Sequence, residues 1–75
     1  MKVRITYCGT WNYKPMAQVV SSELKVNIDD VNIELIKGSG GVFDIQVDEQ
    51  IIYSKTITCR FPIIGEIVDI INKME

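Results

Sequence analysis

An α/β fold with the element order β-α-β-β-β-α is predicted by three features of the chain. Apolar residues alternate in several short runs, two segments carry them at helical spacing, and acids, glycines and prolines punctuate the joins. A β-α-β unit makes its two strands parallel, and the following hairpin adds two antiparallel strands. The result is a four-stranded mixed sheet covered by two helices. Residues 1–75 are expected to form one domain.

Lys2 to Tyr7 is the first strand, with Val3, Ile5 and Tyr7 on one face and Lys2, Arg4 and Thr6 on the other. Cys8 to Lys14 holds Gly9 and Asn12 and reads as a loop. Pro15 suits a first helical position, where a missing N–H costs nothing. Met16, Val20 and Leu24 then recur every fourth residue with Ala17 beside them, which predicts about three helical turns. Asn27, Asp29 and Asp30 end that helix. Val31, Ile33 and Leu35 mark the second strand, and Gly38 to Gly41 form a glycine-rich loop. Phe43, Ile45 and Val47 alternate with Asp44, Gln46 and Asp48 in the third strand. Asp48-Glu49 turns the chain into a fourth strand over Gln50 to Thr56. Pro62 is expected to open the last helix, whose apolar stripe runs through Ile64, Ile67, Val68, Ile71 and Met74, widened by Ile63 and Ile70.

Composition excludes several functions. The chain has 75 residues, 47% of them apolar, and a net charge of −2 without a run of Lys or Arg. A nucleic-acid footprint is therefore missing. No apolar stretch is long enough for a transmembrane helix, and Lys2-Val3-Arg4-Ile5 lacks a leader's apolar core, which predicts a cytoplasmic protein. There is no histidine to act as a base or metal ligand, and two cysteines alone predict no metal site.

The chemistry centres on Cys8. A strand delivers it to a Gly-containing turn just before a helix, where free N–H groups and the helix dipole favour thiolate over thiol. The bland alternative is a small buried hydrophobe ending a strand, and the residues leave both open.

Three local patterns carry a family resemblance: Val3-Arg-Ile-Thr-Tyr-Cys-Gly9 continued by Tyr13-Lys14; Gly41-Val-Phe-Asp-Ile45 followed by Ile52-Tyr-Ser-Lys55; and Arg60-Phe-Pro62. In this order they resemble the selenoprotein W-like proteins, which include selenoproteins W, T and H. The resemblance implies a thioredoxin-like fold with strand order 2-1-3-4 and a reactive thiol at Cys8. It also marks a departure. Where the family's dithiol members carry a second Cys or selenocysteine, this chain has Trp11.

That strand order brings the ends of strands 1, 2 and 4 to one edge of the sheet. Cys59 follows strand 4 there, a possible second thiol. The two strand axes lie about 9–10 Å apart at ~4.8 Å per step, whereas a disulfide needs Cα atoms within about 7 Å, so a bridge is not the expectation. The loop residues Gly40 and Gly41 are either a long turn or a place where backbone approaches a bound thiol. Trp11 covers the thiol or offers a docking face. Arg60 pairs with a surface acid or supports the thiolate.

Two functions follow. The first is a monothiol redox protein: Cys8 is the nucleophile, the N–H groups of Gly9, Thr10 and Trp11 hold its thiolate, and Tyr13 helps bind the partner. That partner is a protein disulfide, a protein thiol or glutathione, and no dedicated cofactor is implied. The second is a redox-inactive binding module that docks through the Trp11 loop. Either is a monomer or weak dimer, and an exposed Cys8 would couple two copies under oxidation.

Overall fold

The structure is a computed structural model that describes residues 1–74; Glu75, the last residue of the expected domain, lies outside them. The elements are β1 (Lys2–Cys8), α1 (Lys14–Asn27), β2 (Asn32–Gly38), β3 (Phe43–Val47), β4 (Gln50–Ser54), α2 (Lys55–Thr58) and α3 (Glu66–Asn72). The sheet order is β2-β1-β3-β4, with β1 and β2 parallel and the other pairs antiparallel. This is the predicted thioredoxin-like sheet.

Alternation along the strands decides which face is buried. Val3, Ile5 and Tyr7 of β1 join Phe43, Ile45 and Val47 of β3 in one cluster with Ala17, Val20 and Leu24 of α1 and Ile67 and Ile71 of α3. Both longer helices therefore cover the same face. Phe43, the largest fully buried side chain, lies at its centre. Removing a buried phenyl ring costs roughly 3–5 kcal/mol, a large share of the stability of so small a chain. On the other face Arg4 and Glu34, neighbours across β1 and β2, form an ion pair at 3.3 Å.

Two expectations need correction. The fourth strand stops at Ser54, not Thr56, and the chain turns at once into α2, a third helix of one turn. The last helix does not begin at Pro62. Gly65, with φ 86°, caps α3, which starts at Glu66. Residues 61–63 run as an irregular segment, so Ile63 and Ile64 are largely exposed instead of joining the stripe. Among the described residues no helix is long and apolar enough to cross a membrane.

Because β1, β2 and β4 point the same way, Cys8, Gly38 and Ser54 end their strands at one edge, where Phe43 begins β3. The candidate site sits on this edge.

Candidate functional site

Cys8 is the last residue of β1, and its backbone is pinned on both sides. Gly9 donates its N–H to the Gly38 carbonyl at 3.1 Å, and Tyr13 donates to the Cys8 carbonyl at 3.0 Å. The turn between them closes through Asn12 N–H on the Gly9 carbonyl at 3.2 Å, with Asn12 at φ 59°. That geometry turns the Trp11 N–H toward the sulfur, 3.4 Å from Cys8 Sγ. The thiol has no solvent-exposed surface.

Two opposed effects act on this thiol. Burial pushes its pKa up, because a charged sulfur loses water; the backbone N–H groups of Trp11, Gly41, Thr10 and Val42 pull it down, and the net direction is down. The donors come from both loops at the sheet edge. Sequence reasoning expected Gly9, Thr10 and Trp11, but the Gly9 N–H is spent on Gly38. Gly41 serves in its place, joined by Val42, which carried no signal of its own.

The glycine loop has two distinct roles. Gly40 and Gly41 both adopt positive φ, 72° and 77°, as the turn demands. A side chain at Gly40 would meet nothing, whereas a Cβ on Gly41 would lie 2.8 Å from the Trp11 ring. Trp11 therefore packs directly on Gly41, joining the two loops that flank the thiol. Its other surface is open: Trp11 is 61% exposed.

An aromatic chain continues inward from Trp11. Its ring meets Tyr13 edge-on at 6.1 Å, Tyr13 meets Phe61 at 4.7 Å, and Phe61 meets Phe43 at 5.2 Å. Lys55 Nζ stands 5.6 Å from the Tyr13 ring centre and 5.3 Å from that of Phe61, within cation–π range. Phe61 and Lys55 were missed as site residues, although both fall in the motifs that carry the family resemblance.

The remaining candidates lie elsewhere. Cys59 is exposed and Cys8 buried, and both are free thiols. Cys59 follows α2 in left-handed backbone, with φ 63°. Arg60 does not serve the thiolate. Its guanidinium grips Glu66 with two bonds of 2.8 Å, and the Tyr53 hydroxyl donates to the Arg60 carbonyl at 2.7 Å. This pairing holds Glu66 down at about 2 and raises Arg60 further above its already high value. The pair ties the segment carrying Phe61 to the start of α3. Of the two placements left open for Cys8, the structure has the buried one, and the exposed thiol is Cys59.

Comparison with known proteins fits this fold. The sequence model of the Rdx family matches residues 2–73. The fold is similar to the crystal structure of a selenoprotein W-related protein from Vibrio cholerae, with a TM-score of 0.89 at 20% identity over 97% of this chain and 94% of that one. A Bordetella parapertussis protein is similar at a TM-score of 0.90 and 21% identity, covering 99% and 96% of the two chains. At such identities the likeness speaks for the fold. None of the curated proteins matches the sequence.

Proposed function

The chain belongs to the Rdx family of selenoprotein W-, T- and H-like proteins, and from that premise we propose that it is a redox protein acting through one thiol, Cys8. The observation that carries this reading is a buried Cys8 Sγ facing the Trp11 N–H at 3.4 Å, with the N–H groups of Gly41, Thr10 and Val42 also pulling its pKa down against the effect of burial. A structural cysteine needs no such donors. Preorganised N–H groups stabilise an anion without reorganising, and the thiolate is the nucleophilic form.

The exchange runs in two steps. The Cys8 thiolate attacks one sulfur of a disulfide; the old S–S bond breaks, a new one forms on Cys8, and the second sulfur leaves as a thiolate. Trp11 stands where a resolving thiol would be, so release requires a thiol from outside, a second attack that regenerates the Cys8 thiolate. Glutathione or a protein thiol fits that need. Some group must move before a disulfide reaches a fully buried sulfur, and the Trp11 indole resting on Gly41 is the cover this reading assigns. A cytoplasmic setting is in keeping with a free, exposed Cys59, since reducing compartments keep thiols unpaired.

One observation favours a second reading. A buried Cys8 together with a Trp11 that is 61% exposed also suits a binding module whose anchor is the indole, because Trp is enriched at binding hot spots. Single substitutions separate the two. Cys8→Ser abolishes mixed-disulfide formation in the redox reading and leaves partner capture intact in the binding reading, while Trp11→Ala abolishes capture only in the latter.

A further inference from the structure

The two edges of the sheet differ in charge. The edge opposite Cys8 carries Asp29 and Asp30 in the α1–β2 connection and Asp48 and Glu49 in the β3–β4 turn, with Lys2 at the start of β1 and Lys25 in the last turn of α1 beside them. The Cys8 edge carries Lys14 at the start of α1, Lys37 near the end of β2 and Lys55 after β4. Among the described residues its only other cation, Arg60, is paired with Glu66. Asp44, the one acid in the strands near this edge, sits half-buried inside the sheet between Thr6 and Ser54. Among the described residues no carboxylate pairs with Lys14, Lys37 or Lys55.

Each of these lysines lies beside the loop that follows Cys8. Lys14 opens α1, whose first turn holds no acid, so its charge opposes the helix dipole. Lys37 lays its side chain along the backbone next to Cys8: a Cβ on Gly9 would overlap its Cε. Lys55 hangs over the rings of Tyr13 and Phe61, the former in contact with Trp11. The groups that lower the Cys8 pKa are backbone N–H groups and not these lysines. The lysines are thus free to act on whatever approaches the sulfur.

We propose that this lysine rim selects the partner: the disulfide that meets Cys8 is flanked by carboxylates, and Lys14, Lys37 and Lys55 draw it in. The inference rests on the reading of Cys8 as a nucleophile. It runs against the charge of the whole chain, −2, which by itself repels anions. That opposition gives the test its sign.

The Cys59→Ser protein is reacted with a dianionic bis(nitrobenzoate) disulfide and with a neutral dipyridyl disulfide. In both, the Cys8 thiolate takes one aryl sulfur and the other leaves as a thiolate. Salt is raised from about 0.01 M to about 1 M, shrinking the screening length from about 30 Å to about 3 Å. The rim predicts that the dianion gains on the order of tenfold over the neutral reagent at low salt, and that salt abolishes the gain. Lys14→Gln with Lys37→Gln shrinks the same ratio, and the salt series on the unmodified rim makes the result independent of how that variant folds. A ratio that is flat, or that rises with salt as the net charge dictates, overturns the rim and leaves the nucleophile standing. No reaction of Cys8 with either reagent overturns the nucleophile itself, and the rim with it. Oxidised glutathione and the disulfide of a short acidic peptide, compared in the same way, separate the two sources of such a partner. An equal rate with a lysine-flanked peptide disulfide counts against both.

Discussion

The backbone N–H of Trp11 lies 3.4 Å from Cys8 Sγ. The residue that occupies the place of a second thiol thus serves the first thiol through its main chain, a role that needs no particular side chain. Its indole is left for a separate task, resting on Gly41 with one surface toward solvent. A Trp at this position is therefore compatible with a main-chain donor to Cys8.

If the indole is a cover, Trp11→Ala uncovers the sulfur. Alkylation of Cys8 by a small neutral reagent should then accelerate clearly, while the midpoint of its pH dependence stays below that of a free cysteine, because alanine keeps the N–H. An unchanged rate would mean that other atoms close the site.

Gly40 and Gly41 offer a matched pair. Both have positive φ, so alanine at either position costs roughly 1–2 kcal/mol in backbone strain. Only Gly41→Ala also collides with Trp11 and displaces an N–H that favours the thiolate. Denaturant titration should find both variants destabilised, and alkylation should find the Cys8 pKa raised in Gly41→Ala but not in Gly40→Ala.

Mild peroxide should cross-link two copies, if at all, through the exposed Cys59 and not through the buried Cys8. On a non-reducing gel, Cys59→Ala is expected to lose the dimer and Cys8→Ala to keep it. This reverses the order that an exposed Cys8 would give.

The Arg60–Glu66 pair sets an acid limb of stability. Glu66 is depressed to about 2 in the folded chain, so its contribution is present above the ordinary carboxylate value and is lost as pH falls toward 2. Glu66→Gln should lower the melting temperature modestly at neutral pH and flatten its fall over that acid range. A parallel loss at every pH would contradict the assignment.

How much of this was legible in the sequence differs by element. The strands were, because Val3-Ile5-Tyr7 and Phe43-Ile45-Val47 alternate cleanly against polar neighbours and a buried face fixes their register. Helix α2 was not. Thr56, Ile57 and Thr58 favour strand by local preference, and tertiary bonds override it: Thr58 Oγ1 lies 3.1 Å from the Ser54 carbonyl and 3.0 Å from the Tyr53 hydroxyl. The late start of α3 had a signal in Gly65, masked by the apolar run before it. At the site, the placement of Cys8, Trp11 and Gly41 at one sheet edge could be read from the strand order that the resemblance implies. The contribution of Val42 could not, since a main-chain N–H leaves no mark on residue identity. Nor could the burial of Cys8, which depends on two loops meeting across β1 and β2.

The central claim is that Cys8 is a poised thiolate, and its pKa tests this most directly. In the Cys59→Ser protein, the rate of alkylation followed against pH should give a midpoint below the free-cysteine value of about 8.5. The same depression makes stability rise with pH between the folded and unfolded midpoints, because there only the unfolded chain holds the proton. A midpoint at or above about 8.5, with stability flat across that range, would show that burial outweighs the four N–H groups and would leave Cys8 a structural residue.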